Sequence, residues 1–187
     1  MIATILKRSL AELLDLAPYI SALEPQLQKL GEALLACWAH RGKVLVAGNG
    51  GSAADAMHLA EDLCVRFQKD RRALAAMAIC DPTVITCAAN DFGFESIFSR
   101  QVEAFGNSGD VLIVMTTSGN SANIIKAVEA AKSRLMVTAS FLGKDGGKVH
   151  GMCDIELLVP CPITARVQEA HKLMYHVLCE WVESKLD

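Results

Sequence analysis

The chain has 187 residues, 52% of them hydrophobic, and a formal charge of −3 from 18 basic and 21 acidic side chains. So much apolar side chain is ample for a buried core and excludes disorder as the main state. The slight acidity excludes binding of phosphate backbones through bulk charge. The longest apolar runs, such as Ala33 to Ala39 and Val111 to Met115, fall far short of the roughly 20 residues a bilayer-spanning helix needs, so neither a direct nucleic-acid partner nor a membrane is expected.

From Ile2 to His40 the pattern is helical. Leu6, Leu10, Leu13, Leu14 and Ala17 recur three or four apart, Pro18 interrupts, and Leu23, Leu27, Leu30, Leu34 and Trp38 resume the spacing. This predicts an N-terminal helical hairpin, more apolar than a lone hairpin needs and so suited to packing between subunits. Lys7, Arg8, Glu12 and Asp15 fall inside the first helix, where a signal peptide would have an unbroken apolar core, and a cytosolic location is expected.

After Gly42 short apolar strands alternate with turns and helices. Lys43 to Ala47 runs into Gly48-Asn-Gly-Gly-Ser52 and a helix to about Phe67, and Leu74 to Ile79 runs into Asp81-Pro82. Val111 to Met115 runs into Thr116-Thr-Ser-Gly-Asn-Ser121 and a helix to about Ala131. Met136 to Leu142 leads to Gly143-Lys-Asp-Gly-Gly147, and Ile155 to Val159 leads to Pro160 and a last helix over about 165–185. Strands buried on both faces and alternating with helices predict a three-layer α/β/α sandwich around a parallel sheet of about five strands. No linker, repeat or low-complexity tract divides it, so a single domain over 1–187 is expected, helices over 1–41 and sandwich over 42–187. Seven cysteines, none closer than seven residues to the next, form no CxxC unit and are expected as small buried hydrophobes in a reducing compartment.

In open parallel sheets ligands sit beyond the carboxyl ends of the strands, where loops and helix N-termini offer backbone N–H groups. Two loops there carry suitable residues. Asn49, Gly50, Gly51 and Ser52 let a backbone approach an anion closely and open straight into a helix. The run imitates a dinucleotide fingerprint through Gly48, Gly50 and Ala53. Yet the acidic residue expected roughly 20 residues on is missing, and no Walker lysine follows. Thr116, Thr117, Ser118 and Ser121 bring four hydroxyls ahead of a second helix, which suits phosphate oxygens as well as an ordinary N-cap. Together the loops predict a neutral, hydroxyl-rich site for a phosphorylated sugar.

On the helix after the first loop, the i, i+4 spacing of His58 and Asp62 puts an imidazole and a carboxylate on one face, able to hold a divalent metal or move protons; Glu61 projects elsewhere. The last helix carries Gln168, Glu169, His171 and His176. Spacing alone favours His171 as the partner of Gln168, because Gln168 and His176 lie about 12 Å apart along an ideal axis and about 80° around it.

Taken together, Gly48-Asn-Gly-Gly-Ser52, Asp55-Ala-Met-His58, Asn90-Asp-Phe-Gly-Phe94, Phe98-Ser-Arg-Gln-Val-Glu103, Thr117-Ser-Gly-Asn-Ser121, Gly143-Lys-Asp-Gly-Gly147 and Arg166-Val-Gln-Glu169 resemble the phosphoheptose isomerases of the sugar-isomerase (SIS) fold. The resemblance runs in order from Gly42 to Glu183; the N-terminal helices match only in type. It implies conversion of sedoheptulose 7-phosphate to D-glycero-D-manno-heptose 7-phosphate for heptose and surface-glycan synthesis, by a zinc-binding homotetramer with sites at subunit interfaces. The implied substrate contacts are Asn49, Gly50, Gly51, Ser52, Asp62, Asn90, Asp91, Thr116, Thr117, Ser118, Ser121 and Gln168. The implied metal ligands are His58, Asp62, Gln168 and His176, with proton transfer by Asp62 and His176; it is the resemblance, against helix spacing, that selects His176 over His171.

Two positions depart from the family. Asp62 stands where the resemblance calls for glutamate, which shortens the reach by about 1.5 Å, and a misplacement of that order costs about 10²-fold in rate. Thr116 in place of serine keeps the hydroxyl. The same resemblance admits a non-catalytic reading, a SIS protein that binds the bacterial replication initiator, against which the survival of His58 and Asp62 argues. A sugar-phosphate sensor of the transcription-regulator type would need a DNA-binding segment, and the first forty residues show no basic recognition helix.

Overall fold

A computed structural model describes residues 1–186. Its sheet has five parallel strands in the order β2-β1-β3-β4-β5: β1 (Val44–Gly48), β2 (Ala76–Ala78), β3 (Val111–Thr116), β4 (Val137–Gly143) and β5 (Ile155–Val159). Period-two alternation sorts the strand side chains into two cores. Val44, Val46, Val111, Ile113, Met115, Ala139, Phe141, Ile155, Leu157 and Val159 face one side, and Leu45, Ala47, Leu112, Val114 and Leu142 the other. The first core is covered by α3 (Glu24–Ala39), α4 (Gly51–Cys64) and α8 (Thr164–Glu183), the second by α5 (Pro82–Phe92), α6 (Ser99–Phe105) and α7 (Ala122–Ser133). The three-layer sandwich expected from the strand pattern is thus present. Every strand of the interior of the sheet is covered on both faces, which is why β1 and β3 tolerate no polar residue before their carboxyl ends.

The N-terminal segment differs in detail. It forms three pieces, α1 (Ile2–Leu14), the short α2 (Ala17–Ser21) and α3, because Pro18 and Pro25 each sit in the first turn of a new helix, where a missing N–H costs nothing. α1 buries no residue: Ile2, Leu6, Leu10 and Leu14 form an exposed apolar stripe. Arg166 of α8 holds α1 through Glu12, at 3.3 Å.

Three boundaries move. The strand expected over Leu74 to Ile79 shrinks to Ala76–Ala78, an edge strand that fully buries none of its residues and leaves Met77 exposed; the helix expected to reach Phe67 ends at Cys64; and the last helix ends at Glu183. All seven cysteines are free, but Cys64 and Cys87 are exposed, since each lies on the outer face of its helix. Among the described residues no helix is long and apolar enough to cross a membrane.

Candidate active site

The strand order reverses between β1 and β3, so the loops that follow these two strands diverge to opposite faces of the sheet and leave a crevice between them. The two glycine- and hydroxyl-bearing loops expected to hold a phosphate are the ones at this crevice. They are joined by a reciprocal amide pair. Asn49 Nδ2 donates to Asn123 Oδ1 and Asn123 Nδ2 donates to Asn49 Oδ1, both at 2.9 Å. A cavity of about 520 Å³ opens there, lined by Asn49, Gly50, Phe94, Glu95, Ser121, Ala122 and Asn123. In the first turns of α4 and α7 the N–H groups of Ser52, Ala53 and Ile124 already donate to the Asn49, Gly50 and Ser121 carbonyls, so what these helix ends add at the crevice is the partial positive charge of their dipoles. The cavity is edged by helix ends and side-chain amides, with the Glu95 carboxylate and no arginine among its lining residues.

Within the second loop the hydroxyls divide their work. Thr116 is buried and its Oγ1 accepts the Gly119 N–H at 3.1 Å, so it shapes the turn; Ser118 Oγ accepts the Asn120 N–H at 3.3 Å. Ser121, the residue before α7, makes no side-chain cap and borders the cavity. Gly119 adopts φ +64° and lies so close to Gly146 that a Cβ there would overlap the Gly146 carbonyl. Both features demand glycine and fasten this loop to the 143–147 loop. Ser52 is buried in the first turn of α4. Asn90 and Asp91 stand apart: both are exposed at the end of α5, bonded to each other at 2.7 Å, and neither lines the cavity.

The residues expected to move protons lie farther along α4, where it packs on α8. His58 and Asp62, one turn apart, meet His176 from α8, and one ligand atom from each falls within 4.8 Å of the other two. Asp62 Oδ2 is 3.7 Å from His58 Nε2 and 3.8 Å from His176 Nε2. These are ion-pair separations, too long for hydrogen bonds. Correspondingly, Asp62 Oδ2 and His176 Nε2 are buried without any hydrogen-bond partner, a costly arrangement unless something sits between them. Burial is the main influence on both groups. It pushes the Asp62 carboxyl above its usual range, against the pull of His58, and the His176 imidazole below its own, against the pull of Asp62.

The donor set fits a cation. Two imidazole nitrogens and a carboxylate oxygen are ligands zinc takes, and donors around a tetrahedral zinc stand about 3.3 Å apart, so the carboxylate-to-imidazole separations of 3.7 and 3.8 Å are close to that spacing, with all three atoms within 4.8 Å of one another. Asp62, although one methylene shorter than the glutamate of the family pattern, still faces both imidazoles from its buried position. Gln168 does not join them within one chain. It stands two turns nearer the start of α8, against the first turn of α4, where a Cβ built on Gly51 would lie 2.5 Å from its amide nitrogen.

The structure decides between the two histidines of α8. His171, favoured by spacing, is fully buried, and its ring lies 3.0 Å from the Leu142 carbonyl through Nε2; it is part of the core. His176 faces α4 and belongs to the cluster. Spacing on one helix fails here because the partners of His176 come from another helix.

Five residues around these groups were not singled out from the sequence. Asn123 ties the loops together. Tyr175, fully buried, places Oη 3.1 Å from His58 Nδ1; burial first, then the neighbouring Asp55 and Asp62 carboxylates, keep its phenol protonated. Glu183 accepts the backbone N–H groups of Phe67, Gln68 and Lys69 and pairs with Arg71, whose Nη2 donates to the Asp62 carbonyl at 2.5 Å. Phe67, held this way, rests its ring against His176 at a centroid distance of 5.4 Å. Glu183 had a legible signal, a carboxylate four residues after Cys179 in the buried register of an apolar helix face.

Comparison with known proteins agrees with this geometry. The SIS domain family profile matches residues 10–143. A phosphoheptose isomerase of Fusobacterium nucleatum is 52% identical over 158 residues, 84% of this chain and 81% of that protein. One from Paramagnetospirillum magneticum is 47% identical over 184 residues, 97% of this chain and 96% of that protein. The structure of phosphoheptose isomerase from Neisseria gonorrhoeae superposes with a TM-score of 0.91 at 39% identity, covering 98% of this chain and all of that one. The chain belongs to the phosphoheptose isomerase family of SIS-domain proteins.

Proposed function

We propose that this chain acts as a single SIS domain that isomerises sedoheptulose 7-phosphate to D-glycero-D-manno-heptose 7-phosphate in the cytosol. The observation that carries the reading is the convergence of His58, Asp62 and His176 on α4 and α8, in a chain whose loop 48–52 and loop 116–121 flank a cavity at the strand-order reversal. The relatives named above support the same activity. They lend nothing to the non-catalytic, initiator-binding alternative.

In this reading the phosphate rests on Asn49, Gly50, Gly51, Ser52 and the loop from Thr116 through Thr117 and Ser118 to Ser121. Asn90, Asp91 and Gln168 contact the sugar from neighbouring parts of the assembly. Asp62 takes a proton from C1 of the ketose; a proton passes from O1 to O2 through the enediol; and His176 delivers a proton to C2, giving the aldose. Burial raises the Asp62 carboxyl toward the operating pH, which suits a base that must also release its proton. His58, Asp62 and His176 would hold a zinc ion, with Gln168 supplied across a subunit boundary, and bound zinc would polarise the carbonyl of the substrate.

The exposed stripe of Ile2, Leu6, Leu10 and Leu14 supports subunit packing through α1, with a homotetramer as the assembly. The test is turnover of sedoheptulose 7-phosphate by zinc-loaded wild type and Asp62→Asn. We expect product from the first and a loss of at least about 10²-fold in the second; equal rates would remove Asp62 from the mechanism.

A further inference from the structure

We propose that Tyr175 is a positioning residue that holds His58 in the tautomer protonated on Nδ1, so that its Nε2 lone pair faces Asp62 and His176. The inference rests on the reading of these three side chains as a cation site. A neutral imidazole can offer a lone pair at Nε2 only if the proton is on Nδ1. That proton needs an acceptor, and metal-binding histidines generally donate their second N–H to a fixed group nearby.

Two groups approach His58 Nδ1. Tyr175 Oη lies at 3.1 Å and Lys172 Nζ at 3.5 Å. An ammonium can only donate, so Lys172 cannot receive the Nδ1 proton. Its shorter contact, 3.2 Å to Oδ1 of the buried Asp55, draws it away from the ring. The phenol oxygen has lone pairs and is immobile. Tyr175 is fully buried, with its ring edge-on to His58 and to His176 at centroid distances of 5.7 and 4.7 Å. On the far side of the His58 ring, Nε2 is 3.7 Å from Asp62 Oδ2. Tyr175 thus contacts the back of one ligand and the flank of another while lying outside the reacting atoms.

The test reads the proton directly. Long-range nitrogen–proton spectra of ¹⁵N-labelled, metal-free protein, recorded above the imidazole titration range and assigned with His58→Asn, report which ring nitrogen is protonated. We expect His58 as Nδ1–H in wild type and in Lys172→Met, and a change toward Nε2–H in Tyr175→Phe. Competition with a chromophoric chelator should then show zinc bound about 10- to 100-fold more weakly by Tyr175→Phe, at an unchanged melting temperature of the metal-free protein. An Nε2–H His58 in wild type overturns the proposal without any variant. So does Tyr175→Phe with unaltered tautomer and zinc affinity, or a weakening matched by a general loss of stability. An Nδ1–H tautomer that is lost in Tyr175→Phe, in a wild type that binds no zinc, upholds the positioning role and refutes the cation site instead.

Discussion

Replacing Glu183 with alanine should unfold the region beside the His58–Asp62–His176 cluster, and the size of the effect follows from what the carboxylate holds. Its Oε1 accepts the Phe67 N–H at 2.8 Å and Arg71 Nε at 3.2 Å, and its Oε2 accepts the Gln68 and Lys69 N–H groups at 2.9 and 3.1 Å. Both members of the ion pair have side chains only 3% exposed. Truncation therefore leaves an uncompensated buried guanidinium, for which about 3–5 kcal/mol is expected, beside three N–H groups stripped of their acceptor. For a chain of this length that corresponds to a fall of about 6–20 °C in Tm. The assay is urea unfolding of wild type and Glu183→Ala at one protein concentration, with the midpoint converted through the slope.

The same residue makes a pH prediction. Burial alone would raise the Glu183 carboxyl, but the three N–H groups and Arg71 outweigh it and hold its pKa below the ordinary 4.5. In the window between the lowered folded value and 4.5 the unfolded chain binds more protons, so stability rises with pH there. The contribution is complete above 4.5 and is lost as pH falls through the folded value. Glu183→Gln should lack that acid-side loss. A destabilisation below about 1 kcal/mol in Glu183→Ala, with the acid limb of wild type retained, would refute the argument.

Other consequences are equally concrete. Gly119→Ala places a Cβ on the Gly146 carbonyl at φ +64°, so it should raise KM for the phosphosugar and lower Tm; Gly109→Ala, at φ +85° with open space around it, should cost only about 1–2 kcal/mol and leave KM unchanged. Equal KM in the two variants would show that the 116–121 loop needs no anchor. His171, whose pKa burial holds down to about 4, stays neutral in the fold while the unfolded chain protonates near 6.5. Stability should therefore decline as pH drops from 6.5 toward 4, and calorimetry of His171→Phe should lose this slope.

Much of the architecture was readable because burial on both faces writes itself as unbroken apolar strands. Val111 to Met115 admits no other reading once turns and helices flank it, whereas β5, at the sheet edge, carries Glu156 and fully buries only alternate residues. β2 was harder: Leu74-Ala-Ala-Met-Ala-Ile79 is apolar enough for a full strand, yet only three residues pair, at the sheet edge. The two loops at the crevice were legible as strand-end glycines and hydroxyls, whereas Asn123, one polar residue inside a helical pattern, gave no sign that it would meet Asn49 from 74 positions away. The His58–Asp62 pair shows on one helix face. His176 does not, since its place depends on how α8 crosses α4, and helix spacing pointed to His171, which turned out to be core.

The central claim is proton transfer between C1 and C2 of a phosphorylated ketose by this one chain. The most direct measurement incubates the zinc-loaded protein with sedoheptulose 7-phosphate in deuterated water and follows both carbons by NMR. The account predicts aldose product carrying deuterium at C2, with exchange at C1 of the recovered ketose, and neither in Asp62→Asn. Phosphosugar binding with no product and no deuterium at either carbon would contradict it.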